Sequence, residues 1–223
     1  MRTTIIYEDN DIIVCIKPAS FPVQSAKMGS SDMESELKNY LKRTTGSAYL
    51  GIVHRLDQPV RGVMVFAKNA KAAASLSRQV QAGSDKSMYK YYEALCYGNV
   101  PGSGTFEDYL IKDSKTNTSR VCESTDKQAK KAVLDYEVIE NSADGYSKLG
   151  IHLHTGRHHQ IRVQLAYHGY PLLGDQKYGN KASMELSNKL GIKNTQLAAV
   201  KLEFIHPTTN KKIIYDINKT GTV

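Results

Sequence analysis

The run MYKYYEALCYG (88–98), followed by TFEDYLIK (105–112), NTSRVCE (117–123), AVLDYEVIE (132–140) and YSKLGIHLH (146–154), decides the fold. Aromatic and β-branched residues recur in every segment, and Gly, Asn, Asp or Ser punctuates the gaps, as strands and turns require. The gaps are too short for the crossover of a dozen or more residues that parallel strands need, so the strands return as hairpins. This predicts an α+β protein with a long, mixed, mostly antiparallel sheet flanked by a few helices.

Working outward, Ile5–Lys17 reads as two strands around the turn Glu8-Asp9-Asn10-Asp11, and Pro18, which cannot donate to a ladder, ends the second. Ser31-Asp32-Met33-Glu34 has the capping-box pattern, and Met33, Leu37, Tyr40 and Leu41 follow at helical spacing, predicting a helix over about 32–43. Gly62–Lys68 is a buried-strand run, after which Asn69 caps an Ala-rich helix that Gly83 closes. Downstream, a helix is predicted from near Thr155 to Gly169 and another over 183–190, with closing strands near 196–205 and 211–217. With no repeat or linker, the expectation is a single domain spanning 1–223.

Composition removes several classes. Forty per cent hydrophobic residues is too many for a disordered chain. No apolar run approaches the roughly 18 residues of a membrane helix, and the first residues lack a signal-peptide core. Cys15, Cys96 and Cys122 are odd in number and without CxxC spacing, which reads as reduced thiols in a cytoplasmic protein. The net charge of +8 fits a polyanionic partner, an acidic membrane surface or plain solubility.

Three segments carry chemistry. In Gly51-Ile52-Val53-His54-Arg55-Leu56-Asp57-Gln58-Pro59-Val60-Arg61-Gly62, a carboxylate sits on a loop just before a buried strand, a rigid mount suited to catalysis. Taken alone, the segment is better read as a loop Asp that pairs with Arg55 or caps a turn through Pro59. In His152-Leu153-His154-Thr155-Gly156-Arg157-His158-His159-Gln160-Ile161-Arg162, the histidines invite a metal. On a helix, however, His158 and His159 diverge, Arg162 sharing their general side one turn on, and no nearby Asp, Glu or Cys completes a set with His152 and His154. The expectation is no metal. Tyr89-Lys90-Tyr91-Tyr92 alternates on a strand, with Lys90 and Tyr92 on one face, for packing or for stacking a base.

Together these segments resemble the RluA-type pseudouridine synthases. His54-Arg55-Leu56-Asp57 matches that family's HRLD signature, with Gly62 and Ala67-Lys68 trailing it; Lys90, Tyr92, Ala94 and Gly98 match its K-x-Y-x-A strand. Thr155 to Arg162 matches TGRxHQIR, and Gly169, Pro171, Gly174, Asp175, Tyr178 and Gly179 match GxPxxGDxxYG. Lys17-Pro18 and Phe204-Ile205-His206-Pro207 also fit. Departures are Val60-Arg61 before the glycine, Ala19-Ser20 after Lys17-Pro18, and Leu197-Ala198-Ala199 where the family has Leu-His-Ala. Because the catalytic pattern begins near residue 5, the expectation is a catalytic domain without the family's N-terminal S4-like module.

The resemblance implies isomerisation of uridines in structured RNA, ribosomal or transfer, with base flipping and no cofactor. Asp57 is the implied nucleophile, Arg162 its partner and Tyr92 the stacking ring; Arg55 is implied to fill the space of the flipped base. His54, Arg61, Lys90, Arg157 and His158 are candidate RNA contacts, as are Lys86, Lys127, Lys130 and Lys131, and a monomer is expected. Two alternatives stay open: a catalytically silent RNA-binding protein of the same fold, and a metal-dependent hydrolase built on the histidines.

Overall fold

A computed structural model describes residues 1–25, 29–81 and 87–219, so the closing role given to Gly83 and the phosphate contact given to Lys86 lie outside the described residues. The first hairpin forms as the turn residues dictate. Strands β1 (Thr4–Glu8) and β2 (Ile12–Lys17) pair antiparallel, and the Asp9 carboxylate accepts the amides of Asp11 and Ile12 at 2.8 Å, closing the turn. Helix α1 spans Met33–Thr45. Its cap is Asp32 and not Ser31: the Asp32 carboxylate accepts from Ser35 at 2.7 Å, while Glu34 pairs with Lys38. With Asp32 as the cap, Ser35 stands three residues on and supplies the amide, while Glu34 is held by Gln24 and Lys38. Gly46 ends the helix at φ 75°, in the left-handed region.

A two-residue strand β3 (Gly51–Ile52) precedes β4 (Arg61–Ala67). Asn69 caps α2 (Ala70–Val80), as the sequence predicts, by accepting from Ala72 at 2.8 Å. Strands β5 (Tyr89–Tyr97), β6 (Gly104–Asp113), β7 (Thr118–Cys122), β8 (Lys130–Asn141) and β9 (Tyr146–Leu153) follow where the pattern places them. Helices α3 (Gln160–Tyr167) and α4 (Lys181–Lys189) then lead to β10 (Leu197–Ile205) and β11 (Lys212–Asp216).

The described residues form two compact units, 1–89 with 199–219, and 90–198. In the first unit the strand order is β1-β2-β4-β10, with β3 on β4 and β11 on β10. Ile12, Val14, Val63, Val65, Leu76, Leu202 and Phe204 make its core, each buried side chain contributing about 1.5–3 kcal/mol. In the second the order is β5-β9-β8-β6-β7, in antiparallel pairs. The fold is thus α+β, a mixed, mostly antiparallel sheet with four helices among the described residues. None of these helices is long and apolar enough to cross a membrane.

Helix α3 starts five residues later than predicted. Thr155 and Gln160 are bound to each other and to the Val133 backbone of β8, which holds 155–159 as a loop. His159 caps the helix at φ 55°, so His158 and His159 precede the helix and share no helical side with Arg162. Every residue from Gln160 to Leu165 is buried. A helix covered all round has no amphipathic stripe, and without that period its start was not legible.

Candidate active site

Asp57 stands on the irregular segment 53–60, between β3 and β4. The segment is held by Lys17, the last residue of β2, whose side chain is wholly buried. Its ammonium donates to the carbonyls of Phe21 at 2.6 Å, Gln58 at 2.9 Å and Pro18 at 3.0 Å, one acceptor for each proton. The Val60 amide donates to the Asp57 carbonyl at 3.0 Å, closing a turn around Gln58-Pro59. Burial pushes the Lys17 pKa down to about 8, with the Asp57 charge opposing the shift. A buried cation therefore sits beside the loop that presents the candidate nucleophile.

The neighbours of Asp57 divide by role. His54 accepts the Val65 amide of β4 through Nε2 at 3.1 Å, which ties the ring to the sheet and fixes that nitrogen as unprotonated. Arg55 and Arg61 are exposed. Next to Arg61, Gly62 has φ 143°, and a Cβ there would meet the Ala199 carbonyl at 2.3 Å. Only glycine lets β4 approach β10 this closely.

The other candidates lie in the second unit. Lys90 and Tyr92 alternate on the buried face of β5, at 8 % and 7 % exposure. Burial lowers the Lys90 pKa, and the ammonium lies beside Gly156 of the 155–159 loop. Arg162 on α3 makes a two-pronged pair with Asp175: Nε to Oδ2 and Nη2 to Oδ1, both 2.7 Å. Burial works to raise the Asp175 pKa. The hydrogen bonds and charge of Arg162, with the amides of Lys177 and Tyr178, outweigh it and hold the carboxyl below its usual range. The Arg162 guanidinium also lies 5.1 Å from the centre of the Tyr178 ring. The Tyr178 hydroxyl accepts the Ser119 amide at 2.8 Å and meets His159 Nδ1 at 2.7 Å. Burial, with Arg162 second, drives the His159 pKa down to about 3, so the ring is neutral.

Arg157 and His158 line a cavity of about 560 Å³ together with Lys112, Lys127, Lys130, Ser114 and Ser119. His158 Nδ1 is 2.9 Å from Ser119 Oγ, and Arg157 Nε donates to the Lys131 carbonyl at 2.8 Å. The Lys131 side chain instead pairs with Glu107 at the surface. A cavity with three lysines, an arginine and hydroxyl donors suits the phosphates of a polyanion.

Reasoning from sequence had assigned no site role to Lys17, Asp175, Tyr178, Ser119 or His159. A legible signal existed for the first two, which stand in Lys17-Pro18 and in the Gly174-Asp175 run. A charged residue set among glycines or beside a proline, with no charged neighbour, is a candidate for burial with a distant partner.

The family described as RNA pseudouridylate synthase matches residues 11–167. Ribosomal large subunit pseudouridine synthase D of Vibrio cholerae is 35% identical over 217 residues, covering 94% of this chain and 65% of that protein. The chain thus spans just under two thirds of that relative. A protein described as an uncharacterized RNA pseudouridine synthase, of Aquifex aeolicus, is 36% identical over 230 residues, covering 98% of this chain and 70% of that one. Among solved structures, human RNA Pseudouridylate Synthase Domain Containing 4 has the same fold, with a TM-score of 0.74 at 24% identity, covering 96% of this chain and 87% of that one. With more than half the chain matched, and the HRLD loop, the Tyr92 strand and the Arg162 helix all inside the match, this chain belongs to the RNA pseudouridylate synthase family.

Proposed function

We propose that this protein is an RNA pseudouridine synthase acting on specific uridines of structured RNA, ribosomal or transfer, and that its two units work as one catalytic domain. The family match running through both units supports the second point. The observation that carries the reading is the Asp57 loop, seated on the buried Lys17 immediately before β4.

The reaction breaks the N1–C1′ bond of uridine and joins C5 to C1′; the C5 proton leaves and N1 gains one, so nothing is oxidised or reduced. Positive charge developing at C1′ calls for an anionic carboxylate, as at glycosidases. In this reading Asp57 supplies it, Tyr92 stacks on the uracil and takes part in removing the C5 proton, and Arg162 is the third catalytic residue. A flipped uridine costs a few kcal/mol of unstacking, which Arg55 offsets by filling the gap. Arg157, His158, Lys127 and Lys130 hold phosphates in the basic cavity, with Arg61, His54 and Lys90 nearer the reacting nucleotide. No cofactor takes part, and the protein works in the cytoplasm as a monomer.

The test is to incubate the protein with RNA from cells that lack it and to map pseudouridine at nucleotide resolution. Wild type is expected to modify defined uridines and Asp57→Asn none, with circular dichroism unchanged. Tyr92→Phe is expected to retain binding and to lose about 10²–10⁴ in rate, the usual worth of a general base. Wild type leaving the RNA as unmodified as Asp57→Asn does sinks the enzyme reading in favour of a silent RNA-binding protein.

A further inference from the structure

We propose that Asp135, His152 and His154 form a binding site for one divalent transition-metal ion of borderline softness, Zn²⁺ being the type ion. Along the chain, His152 and His154 lack an acidic companion. The sheet supplies one, because β8 and β9 pair with Asp135 directly opposite His152. His154 follows one residue past the end of β9, and its ring centroid lies 4.3 Å from that of His152. One donor atom from each of the three lies within 4.8 Å of the others, and Asp135 Oδ2 is 2.5 Å from His154 Nε2.

The set has the chemistry of a zinc site. Two imidazoles and a carboxylate are three of the four ligands of an open tetrahedral centre, with bonds of about 2.0–2.1 Å. Such bonds place donors about 3.3 Å apart, a spacing that small side-chain rotations reach from the present positions. The second layer is present too. Thr105 donates to the other Asp135 oxygen at 2.7 Å, fixing the carboxylate, and the Tyr91 ring stacks on His152 with centroids 4.7 Å apart. Partners of this kind orient ligands in real metal sites. The His154 and Asp135 side chains are 39% and 46% exposed, which leaves water to fill the fourth position. Asp135, His152, Tyr91 and Thr105 border a groove of about 480 Å³ that also takes in Glu137.

A second cluster, Asp9, Asp11 and His206, is a structural turn instead. Asp9 accepts two backbone amides, His206 Nδ1 accepts the amides of Thr208 and Thr209, and Asp11 accepts from Asn69. At Asp135 the carboxylate meets the side chains of Thr105 and His154 and borders the groove. Within its unit the site faces away from Tyr92, since Tyr91 and Tyr92 point to opposite faces of β5. It is therefore separate from the uridine chemistry proposed above and does not depend on it.

The experiment is a calorimetric titration of the intact protein with Zn²⁺ near pH 7, with Co²⁺ as an absorbing substitute. Expected are one bound ion per chain and visible Co²⁺ bands of low coordination number. Asp135→Asn or His152→Gln should weaken binding at least tenfold, and Thr105→Val about tenfold, at the low end for outer partners. No saturable binding up to about 100 μM, or unchanged binding in Asp135→Asn/His152→Gln/His154→Gln, overturns the site. Should the triple variant fold poorly, proton NMR of wild type decides: the His152 and His154 ring resonances must shift with the metal, and binding that leaves them unmoved overturns the proposal.

Discussion

Arg162 and Asp175 face one another through two parallel hydrogen bonds of 2.7 Å, at 5% and 0% side-chain exposure. Asp175 holds the guanidinium from thirteen residues away in sequence, while the Lys177 amide, 3.0 Å from Asp175 Oδ1, fixes the carboxylate. Removing one partner strands the other charge in the interior. Asp175→Asn is therefore expected to cost about 3–5 kcal/mol in denaturant unfolding. Arg162→Lys should lose activity while keeping the charge, because an ammonium cannot reproduce the fork.

Lys17 offers a parallel case, a buried cation held by three carbonyls. Lys17→Met takes the donor from the Phe21 and Gln58 carbonyls, at about 1–3 kcal/mol for each group left unsatisfied. Because it also frees the Asp57 loop, turnover should fall by a larger factor than KM changes. Lys17→Arg should not restore it, since a planar fork does not fit three converging carbonyls. Steady-state kinetics alongside unfolding curves check both.

His159 makes stability depend on pH. Its folded pKa, about 3, lies below the roughly 6.5 of an unfolded histidine. Between those values the unfolded chain binds a proton that the folded ring refuses. Its contribution is complete above about pH 6.5 and is lost as pH falls toward 3, by at most about 1.4 kcal/mol per pH unit. Urea unfolding at several pH values should give a shallower acid-side slope for His159→Gln than for wild type; equal slopes contradict the assignment.

The basic cavity predicts a salt signature. Each phosphate neutralised on single-stranded RNA contributes about −0.7 to the slope of log affinity against log salt. Lys127→Ala, Lys130→Ala and Arg157→Ala, all lining that cavity, should each flatten the slope by about that amount. Lys131→Ala, whose ammonium pairs with Glu107, should change it little. Filter binding over a salt series separates the two groups.

Strand alternation and turn residues were enough to place β5 to β9 from the chain alone, because period two and short gaps leave few other arrangements. Asn69 as a cap was legible for the same local reason. The start of α3 was not. Its residues are buried on all sides, and the Thr155–Gln160 interlock with β8 replaces a local cap.

The motif around Asp57, Tyr92 and Arg162 was determined by sequence, since residue type and order carry it. What holds those residues was decided in three dimensions. Lys17 reaches Gln58 across 41 positions, Arg162 reaches Asp175 across 13, and Asp135 meets His152 only through strand pairing. Burying a charge is costly unless a partner meets it. Which partner does so depends on backbone register and packing, and no local pattern in the chain encodes either.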